Sequence, residues 1–244
     1  MCGRYVTPEQ AAIERFWHIG RHNSGAILAP LWNAAPGAKV SIIFLDSDAL
    51  TLDVARWGLI PHWWKDEKPP RNTHNARSEE AASKAMWRYP VSKARCLIPA
   101  LGWYEWKQIE RVDPATGEIL KVKQPYFIHP PDGHPFAFAG LSSAWVPNQP
   151  GADHGGESAM TTCSILTQEA IGPAADVHDR MPVVLPKDAE AAWLNATLTD
   201  ARAALELARR RAVTAFVHHA VNPRVNNARN EGAELIEAID EANR

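Results

Sequence analysis

Short apolar segments, each followed by Pro, Gly, Asn or charged residues, are the feature that most limits the fold of this chain. Apolar residues make up 45% of its 244 residues, which is ample for a sizeable core. The individual runs are brief, however, and VSIIFL at 40–45 is far too short to span a bilayer. The chain must therefore bury its apolar surface by packing many short elements together.

Most of these segments are predicted to be β-strands, because β-branched and aromatic residues fill them and turn residues bound them. The predicted strands are 40–46, 51–59, 95–108, 125–129, 136–145, 161–170 and 214–221. Pro99 and Gly102 indicate a bend within the third strand. The segment 111–124 resembles a hairpin, and 146–159 is rich in Gly and Pro, as in a surface loop.

Helical spacing of apolar residues predicts four helices. They are 8–18, 78–88 (capped by Ser78), 186–195 and 200–212. Residues 57–79 contain too many Pro and Asn for a regular element and are predicted to form a long ordered loop. We therefore expect an α+β fold. It would be a single domain over 1–244, with a barrel-like, mostly antiparallel β core and peripheral helices.

Charge and cysteine content indicate the compartment and the binding partners that we expect for the protein. The net charge of -2 gives no global positive field, so any nucleic acid must be met by local charge. The three cysteines lack metal-ligand spacing and leave one unpaired, which favours free thiols in a reducing compartment. The start of the chain has no apolar signal region. We expect a cytoplasmic monomer that binds no membrane, metal or organic cofactor.

Cys2 is a candidate nucleophile because it is the second residue of the chain. A small second residue generally allows Met1 to be removed, which leaves a cysteine with a free α-amine. The amine has a pKa near ~8 and the thiol near ~8.5, so both nucleophiles are usable near neutral pH. An aldehyde would form an imine with the amine, and the thiol would close a thiazolidine ring. Taken alone, most second-position cysteines have no such role, and retained Met1 blocks the reaction.

Cys2 belongs to a set of seven sequence motifs. They are MCGRY at 1–5, NAAPG at 33–37, WGLIPHWW at 57–64, NARSE at 75–79, RCLIPALGWYEW at 95–106, FAGLSSAW at 138–145 and HDRMPVVL at 178–185. In this order the set resembles the SRAP family (SOS-response-associated peptidase fold), which are DNA–protein crosslinking proteins. The resemblance runs from residue 2 to about 232–235. Each motif alone is weak, whereas the seven in this order are specific.

The resemblance implies that Cys2 captures the ring-opened aldehyde of an abasic site in single-stranded DNA. It also implies catalytic roles for Asn75, Glu105 and His178. Among aromatic residues, the Glu105 carboxyl should have a raised pKa and move protons, and His178 can promote opening of the sugar ring. Asn75 would hold the amine or the sugar. Without the motifs, a solvent-facing glutamate, a structural histidine and a turn-forming asparagine would be the commoner interpretations.

The DNA-binding residues are predicted from their neighbours. Arg4, Arg77 and Arg180 each lie beside a catalytic candidate and suit phosphate contacts, although unrelated surface ion pairs are the alternative. Trp63 and Trp64 resemble a stacking wedge for unstacked bases, and we expect one of them to be buried and one exposed. Asn33 and Pro36 are expected to shape the floor of the cleft.

The resemblance therefore predicts a crosslink-forming, lyase-like protein that shields abasic sites during the DNA damage response. Its partner is single-stranded DNA containing abasic sites, which would place it with the nucleoid when bound. Two alternatives remain open. One is a cysteine peptidase with autoprocessing activity, which uses Cys2 and His178 as nucleophile and base. The other is a non-covalent single-stranded DNA-binding module, in which Cys2 has no role.

Overall fold

The structure is a computed structural model, and it describes residues 2–66, 68–113, 115–146 and 159–239. The helices of this part are α1 (Gln10–Trp17), α2 (Ala85–Lys93), α3 (Lys187–Leu194) and α4 (Ala201–Arg211). Short 3-10 turns cover Gly172–Asp176, Pro223–Asn226 and Ala233–Ile236. None of the helices in the described ranges is both long and apolar enough to cross a bilayer.

β-Strands outnumber helices in the described part of the chain. In sequence order they are β1 (Arg4–Val6), β2 (Arg21–His22), β3 (Lys39–Asp46), β4 (Ala49–Trp57), β5 (Asn75–Arg77), β6 (Arg95–Ala100), β7 (Gly102–Val112), β8 (Ile119–His129), β9 (Phe136–Trp145), β10 (Met160–Glu169), β11 (Arg180–Pro182), β12 (Val184–Leu185) and β13 (Val217–Ala220). They form a larger sheet and a four-stranded sheet in the order β1-β7-β8-β13.

The larger sheet curls so that its pairings form a circuit. β10 pairs with β4, β4 with β3, β3 with β6, β6 with β9, and β9 again with β10. The β3–β6 contact is a single pair, Ile43 with Leu97, so the circuit is weakest there. Most pairings are antiparallel, while β10 runs parallel to β4 and β5, and β2 runs parallel to β4. The prediction of an α+β fold with a barrel-like, mostly antiparallel core is confirmed.

Two large buried clusters fill the protein. One contains Cys2, Tyr5, Trp57, Trp103 and Phe138, and it joins the four-stranded sheet to the curled one. The other lies under the helices and includes Trp17 of α1 and Trp193 of α3. Four of the ten tryptophans are fully buried, as expected for residues used mainly in packing.

The sequence prediction was wrong around residues 75–88. Asn75–Arg77 is a strand rather than part of a loop, because it pairs with Ile165–Thr167 of β10. The predicted helix at 78–88 instead begins at Ala85 and runs to Lys93. Ser78 does not cap it, since the backbone N–H of Ser78 donates to Thr167 and ties this turn to the sheet. Long-range pairing has overridden the local helix signal.

The predicted strand at 95–108 is two strands in different sheets. The chain leaves β6 at Ala100 and enters β7 at Gly102, which is the bend that Pro99 and Gly102 indicated. Gly102 is required here, because a Cβ atom would lie 2.3 Å from the ring of Phe127. The predicted hairpin is confirmed as the far end of β7 and β8, whereas most of the predicted loop 146–159 falls outside the described residues.

Candidate active site

Cys2 lies two residues before the start of β1, inside the protein. Its side chain has no exposed surface, and its sulfur lies 3.9 Å from the carbonyl oxygen of Arg4. The carbonyl oxygen of Cys2 accepts a 2.7 Å hydrogen bond from Nδ2 of Asn75. Asn75 reaches this position because β5 pairs with β10, where it lies opposite Ile165. Its other amide atom, Oδ1, is buried and has no hydrogen-bond partner among the described residues.

Glu105 approaches Cys2 from the neighbouring strand β7. In the β1–β7 ladder Arg4 lies opposite Tyr104, so Glu105 follows one residue beyond this pair, beside the start of β1. Its side chain is only 3% exposed. Burial raises the pKa of Glu105 from 4.5 to about 7, and the charge of Asp179 acts in the same direction. The carboxyl group can therefore give up or accept a proton near neutral pH.

His178 completes the cluster from the segment between the turn Gly172–Asp176 and β11. Its Nε2 lies 3.9 Å from Oε2 of Glu105. On the other side of the ring, Nδ1 accepts a 2.9 Å hydrogen bond from the backbone N–H of Arg180. A neutral ring whose proton is on Nε2, facing Glu105, fits the bond from Arg180, while Nδ1 also lies 2.8 Å from Oδ1 of Asp179. Burial is the largest cause that lowers the pKa of His178, which favours this neutral form.

The Cys2 thiol is held in its protonated form. Burial raises the pKa of Cys2 well above its ordinary value, and the nearby Glu105 charge raises it further. This is the reverse of an activated thiolate, whose pKa a neighbouring cation lowers. Of the four predicted catalytic residues, the structure joins Asn75 to Cys2 and His178 to Glu105. The electrostatic effect of Glu105 on Cys2 links the two pairs.

The predicted DNA-binding arginines differ in their surroundings. Arg77 is exposed at the end of β5, where its closest acidic neighbour is Glu80 at 3.9 Å. Arg180 forms a two-point ion pair with Glu79, at 2.8 and 3.0 Å, and its Nη2 also lies 3.3 Å from Oγ1 of Thr167. The Arg180 guanidinium is therefore already bound within the protein, whereas Arg77 is available to a partner.

Arg4 and Asn33 hold a C-terminal segment in place. Nη1 of Arg4 donates to Oδ1 of Asn33 and to the carbonyl oxygen of Val225. Asn33 is 1% exposed, and its Nδ2 contacts the carbonyl oxygens of Val225, Asn227 and Asn230. Asn33 thus shapes the protein beside the site, and all its described bonds are internal. Its predicted contact with DNA stays a prediction.

The aromatic pair and Pro36 lie nearer the surface. Trp63 is 46% exposed, as expected for one member of the pair. Trp64 is half-buried rather than buried. Its Nε1 donates to the carbonyl oxygen of Lys68, and its own carbonyl oxygen accepts from Nε1 of Trp145. Their ring centres lie 6.0 Å apart at 53°. Pro36 is exposed in a turn. Trp63 is therefore the member of the pair whose ring is exposed to solvent, as base stacking requires.

Sequence analysis assigned no role to Glu79 or Thr167, both of which bind Arg180. Glu79 stands in the NARSE motif, two residues after Arg77, and that position was the only available signal. The segment that Arg4 and Asn33 hold was not connected with the site either. In the described part of the chain, no group of three or more His, Cys, Asp or Glu residues could hold a metal ion.

Comparison with known proteins decides the family. The family model for the SOS response associated peptidase (SRAP) matches residues 1–228. The chain belongs to the SRAP family. Among its relatives, the abasic site processing protein YoqW of Bacillus subtilis is 35% identical, with 98% of this chain and 100% of that protein aligned. YedK of Escherichia coli is also 35% identical, over 85% of this chain and 84% of that protein.

The SRAP relatives extend to animals and to solved structures. The abasic site processing protein HMCES of Gallus gallus is 31% identical over 98% of this chain and 71% of its own length. A crystal structure of a protein from Bacteroides thetaiotaomicron shares the fold, with a TM-score of 0.74 at 24% identity over 98% of this chain and all of that one. A phage-related protein from Bordetella bronchiseptica gives 0.63 at 31% identity, over 91% and 94%.

Proposed function

We propose that this SRAP protein captures abasic sites in single-stranded DNA by forming a thiazolidine at Cys2 after Met1 has been removed. Several relatives carry the name abasic site processing protein. The observation that carries the proposal is the buried cluster around Cys2, in which an asparagine binds its carbonyl group and a carboxyl group titrates near neutral pH. A group that fixes the aminothiol and a group that transfers protons both assist the capture of an aldehyde.

The first bond forms between the α-amine of Cys2 and the aldehyde carbon. Asn75 Nδ2 already fixes the backbone of Cys2, and its Oδ1, which has no hydrogen-bond partner in the described chain, is an acceptor suited to an amine N–H. The addition product loses water to become an imine, and protonated Glu105 supplies the proton to the departing hydroxyl. The carboxyl pKa of about 7 keeps both forms of Glu105 populated for this exchange.

The second bond forms between the Cys2 sulfur and the imine carbon. Because the pKa of the buried thiol is raised, sulfur enters as S–H, loses its proton to Glu105 and adds to the carbon as the nitrogen gains a proton. The result is a five-membered ring with no net gain or loss of protons. The same transfers run backwards allow slow release.

His178 is proposed to open the abasic sugar ring before capture. The closed sugar must lose a proton from its hydroxyl group and gain one on its ring oxygen. The carboxylate of Glu105 can accept the hydroxyl proton and return it, as the carboxylic acid, to the ring oxygen. With the ring proton on Nε2, His178, whose Nε2 lies 3.9 Å from Oε2 of Glu105, can donate a hydrogen bond that stabilises the charge developing on the sugar oxygen.

DNA is proposed to reach Cys2 along the face that carries Arg77 and Trp63. Arg77 is exposed and only loosely paired, so its guanidinium can bind phosphate. Trp63 exposes enough of its ring to stack on an unpaired base. Arg77 lies on β5, the strand that also carries Asn75, which supports its joint action with that residue.

The two alternative functions are less well supported by the site. A cysteine peptidase requires a thiolate activated by histidine, whereas burial raises the thiol pKa of Cys2 and His178 faces Glu105. A non-covalent binding module would have no use for the raised pKa of Glu105 or for the internal bond between Asn75 and Cys2.

Incubation of the protein with a single-stranded oligonucleotide carrying one abasic site tests the proposal. We expect a slow-migrating band on a denaturing gel, absent with intact DNA and absent in Cys2→Ala. Mass spectrometry of the unreacted protein must show that Met1 is missing. Retained DNA binding without any denaturation-resistant band, in protein that begins at Cys2, would establish non-covalent binding and end the covalent proposal.

A further inference from the structure

Beyond Glu105, strands β7 and β8 continue as a two-stranded ribbon, in which residues 106–112 pair with residues 119–125. The pairing of β1 with β7 extends to Tyr104, and the pairing of β13 with β8 extends to Tyr126. Both neighbouring strands therefore end where the ribbon begins. Since Glu105 lies opposite Tyr126, the ribbon starts one residue beyond the candidate site.

Lys107 and Arg111 lie on the same face of the ribbon as Glu105, because side chains alternate between the two faces of a strand. The Cα atom of Lys107 lies about 7 Å along β7 from that of Glu105. Lys107 is exposed and Arg111 is half-buried. Neither side chain forms an ion pair with any residue in the described part of the chain. This face therefore carries two unpaired cations beside the site.

A buried glutamine brings these two cations together. Gln124 of β8 lies directly opposite Lys107 and is 2% exposed. Its Nε2 donates to the carbonyl oxygens of Pro125 and Val221, at 2.9 and 2.8 Å. Its Oε1 accepts a 3.3 Å hydrogen bond from Nη2 of Arg111. The Arg111 guanidinium thus reaches back along the ribbon to the level of Lys107. Like charges that are gathered in this way repel each other, and an anion between them removes the repulsion.

We propose that Lys107 and Arg111 form a phosphate-binding site, which holds a backbone phosphate of the DNA next to the abasic nucleotide. This inference rests on the proposed function, since capture at Cys2 brings the DNA strand to Glu105. The captured sugar carries one phosphate on each side, and the ribbon continues the face of Glu105 outwards from the site. The ribbon then fixes the position of the strand and takes no part in the proton transfers.

The opposite face of the ribbon has a different charge pattern. It carries Lys121 and Lys123, and Glu110 lies directly opposite Lys121. These three residues are exposed, and they point away from the face of Glu105. A general attraction between DNA and positive charge would involve both faces, whereas a phosphate site involves Lys107 and Arg111 alone. Lys123 is therefore a matched control for Lys107, on the same ribbon and with the same charge.

Single-turnover crosslinking kinetics with an abasic single-stranded oligonucleotide test the inference. We expect Lys107→Gln and Arg111→Gln each to raise the half-saturating DNA concentration by about three- to tenfold, with a maximal rate within about twofold of the wild type. The slope of log affinity against log salt concentration should become shallower by about 0.7, the value for one lost phosphate contact on a single strand. Lys107→Arg keeps the charge and should restore the affinity. Lys123→Gln should match the wild type in both measurements.

Neutral methylphosphonate linkages identify the phosphate. One linkage at a time is placed within two nucleotides of the abasic site, on either side. At one of these positions the neutral linkage should weaken binding by the wild type about as much as Lys107→Gln does. The same linkage should have no further effect in Lys107→Gln, because both changes remove one interaction.

Equal losses of affinity in Lys107→Gln and Lys123→Gln would overturn the inference, because the ribbon would then act through its overall charge. A lower maximal rate at an unchanged half-saturating concentration in Lys107→Gln would also overturn it, since Lys107 would then act on Glu105. Additive effects of Lys107→Gln and the neutral linkage at every position would exclude the phosphate contact. If the wild type forms no crosslink, the proposed function itself fails. The same comparisons by fluorescence titration in a Cys2→Ala background then still decide whether the phosphate site exists.

Discussion

Replacing Glu105 by glutamine tests the role of burial at this site through two independent properties. Glutamine keeps the size of the side chain but cannot ionise. Burial raises the pKa of Glu105 from 4.5 to about 7, so the folded protein holds this proton more tightly than the unfolded chain does. The folded state is therefore favoured fully below pH 4.5, and this contribution is lost as the pH rises through 7.

The size of the effect follows from that pKa difference. Each pKa unit corresponds to about 1.4 kcal/mol, so ionising Glu105 in the folded protein costs about 3 kcal/mol. Between pH 5 and pH 8, wild-type stability should fall by roughly this amount relative to Glu105→Gln. Urea denaturation of both proteins at each pH measures the difference, and the other titrating groups cancel because they are shared.

The same substitution should almost abolish covalent capture. Glutamine cannot supply the proton to the departing hydroxyl, and removal of a general acid typically costs about 10²–10⁴-fold in rate. A denaturing gel time course with abasic single-stranded DNA measures it. Parallel pH dependence of stability in the two proteins would refute the assigned burial effect, and wild-type crosslinking by Glu105→Gln would refute the proton-transfer role.

Three further outcomes follow. Cys2→Ser should retain the amine but form only a reversible imine, so that its DNA adduct survives denaturation only after hydride reduction; a durable adduct without reduction would contradict the sulfur's role. Trp63→Ala should weaken binding of single-stranded DNA by about 1–3 kcal/mol in a fluorescence titration, and equal affinity would exclude stacking there. Arg95→Ala should lower the unfolding free energy by about 3 kcal/mol or more, because the buried guanidinium donates to the carbonyl groups of Val91, Trp193 and Asn195; a loss near zero would contradict that anchoring role.

Local sequence patterns predicted those parts of the fold that depend on neighbouring residues. Strands β3, β4 and β9 were found within two residues at each end, because their apolar residues are β-branched or aromatic and clear turns bound them. Helix α4 was found because its apolar residues recur at helical spacing, and the structure adds that Asp200 caps it. Such signals lie within a few residues of the element that they define.

Local sequence patterns could not predict the pairing of strands that lie far apart in the sequence. Asn75–Arg77 is a strand only because β10, some 90 residues later, lies beside it. The helix predicted at Ser78 fails for the same reason, since Ser78 binds Thr167. The parallel order of β5, β10 and β4 has no short turn to mark it.

The candidate site likewise has features that the sequence predicted and features that only the structure shows. Motif resemblance selected Cys2, Asn75, Glu105 and His178, and the structure brings Asn75 to Cys2 and His178 to Glu105. The contacts of Arg180 and Asn33 could not be predicted, because they depend on Glu79 and on residues 225–230, which local sequence does not place nearby. Resemblance therefore selected the candidate reactive groups, whereas the structure shows which residues hold them.

In the proposed reaction one residue, Cys2, supplies both atoms of the linkage. Nuclease and protease digestion of the crosslink, followed by tandem mass spectrometry, tests this directly. We predict a peptide that begins at Cys2, carries the sugar remnant with loss of one water, and has neither a free amine nor an alkylatable thiol. A remnant on a lysine, on Cys96 or Cys163, or on a Cys2 whose thiol still reacts with an alkylating agent would contradict the proposed linkage.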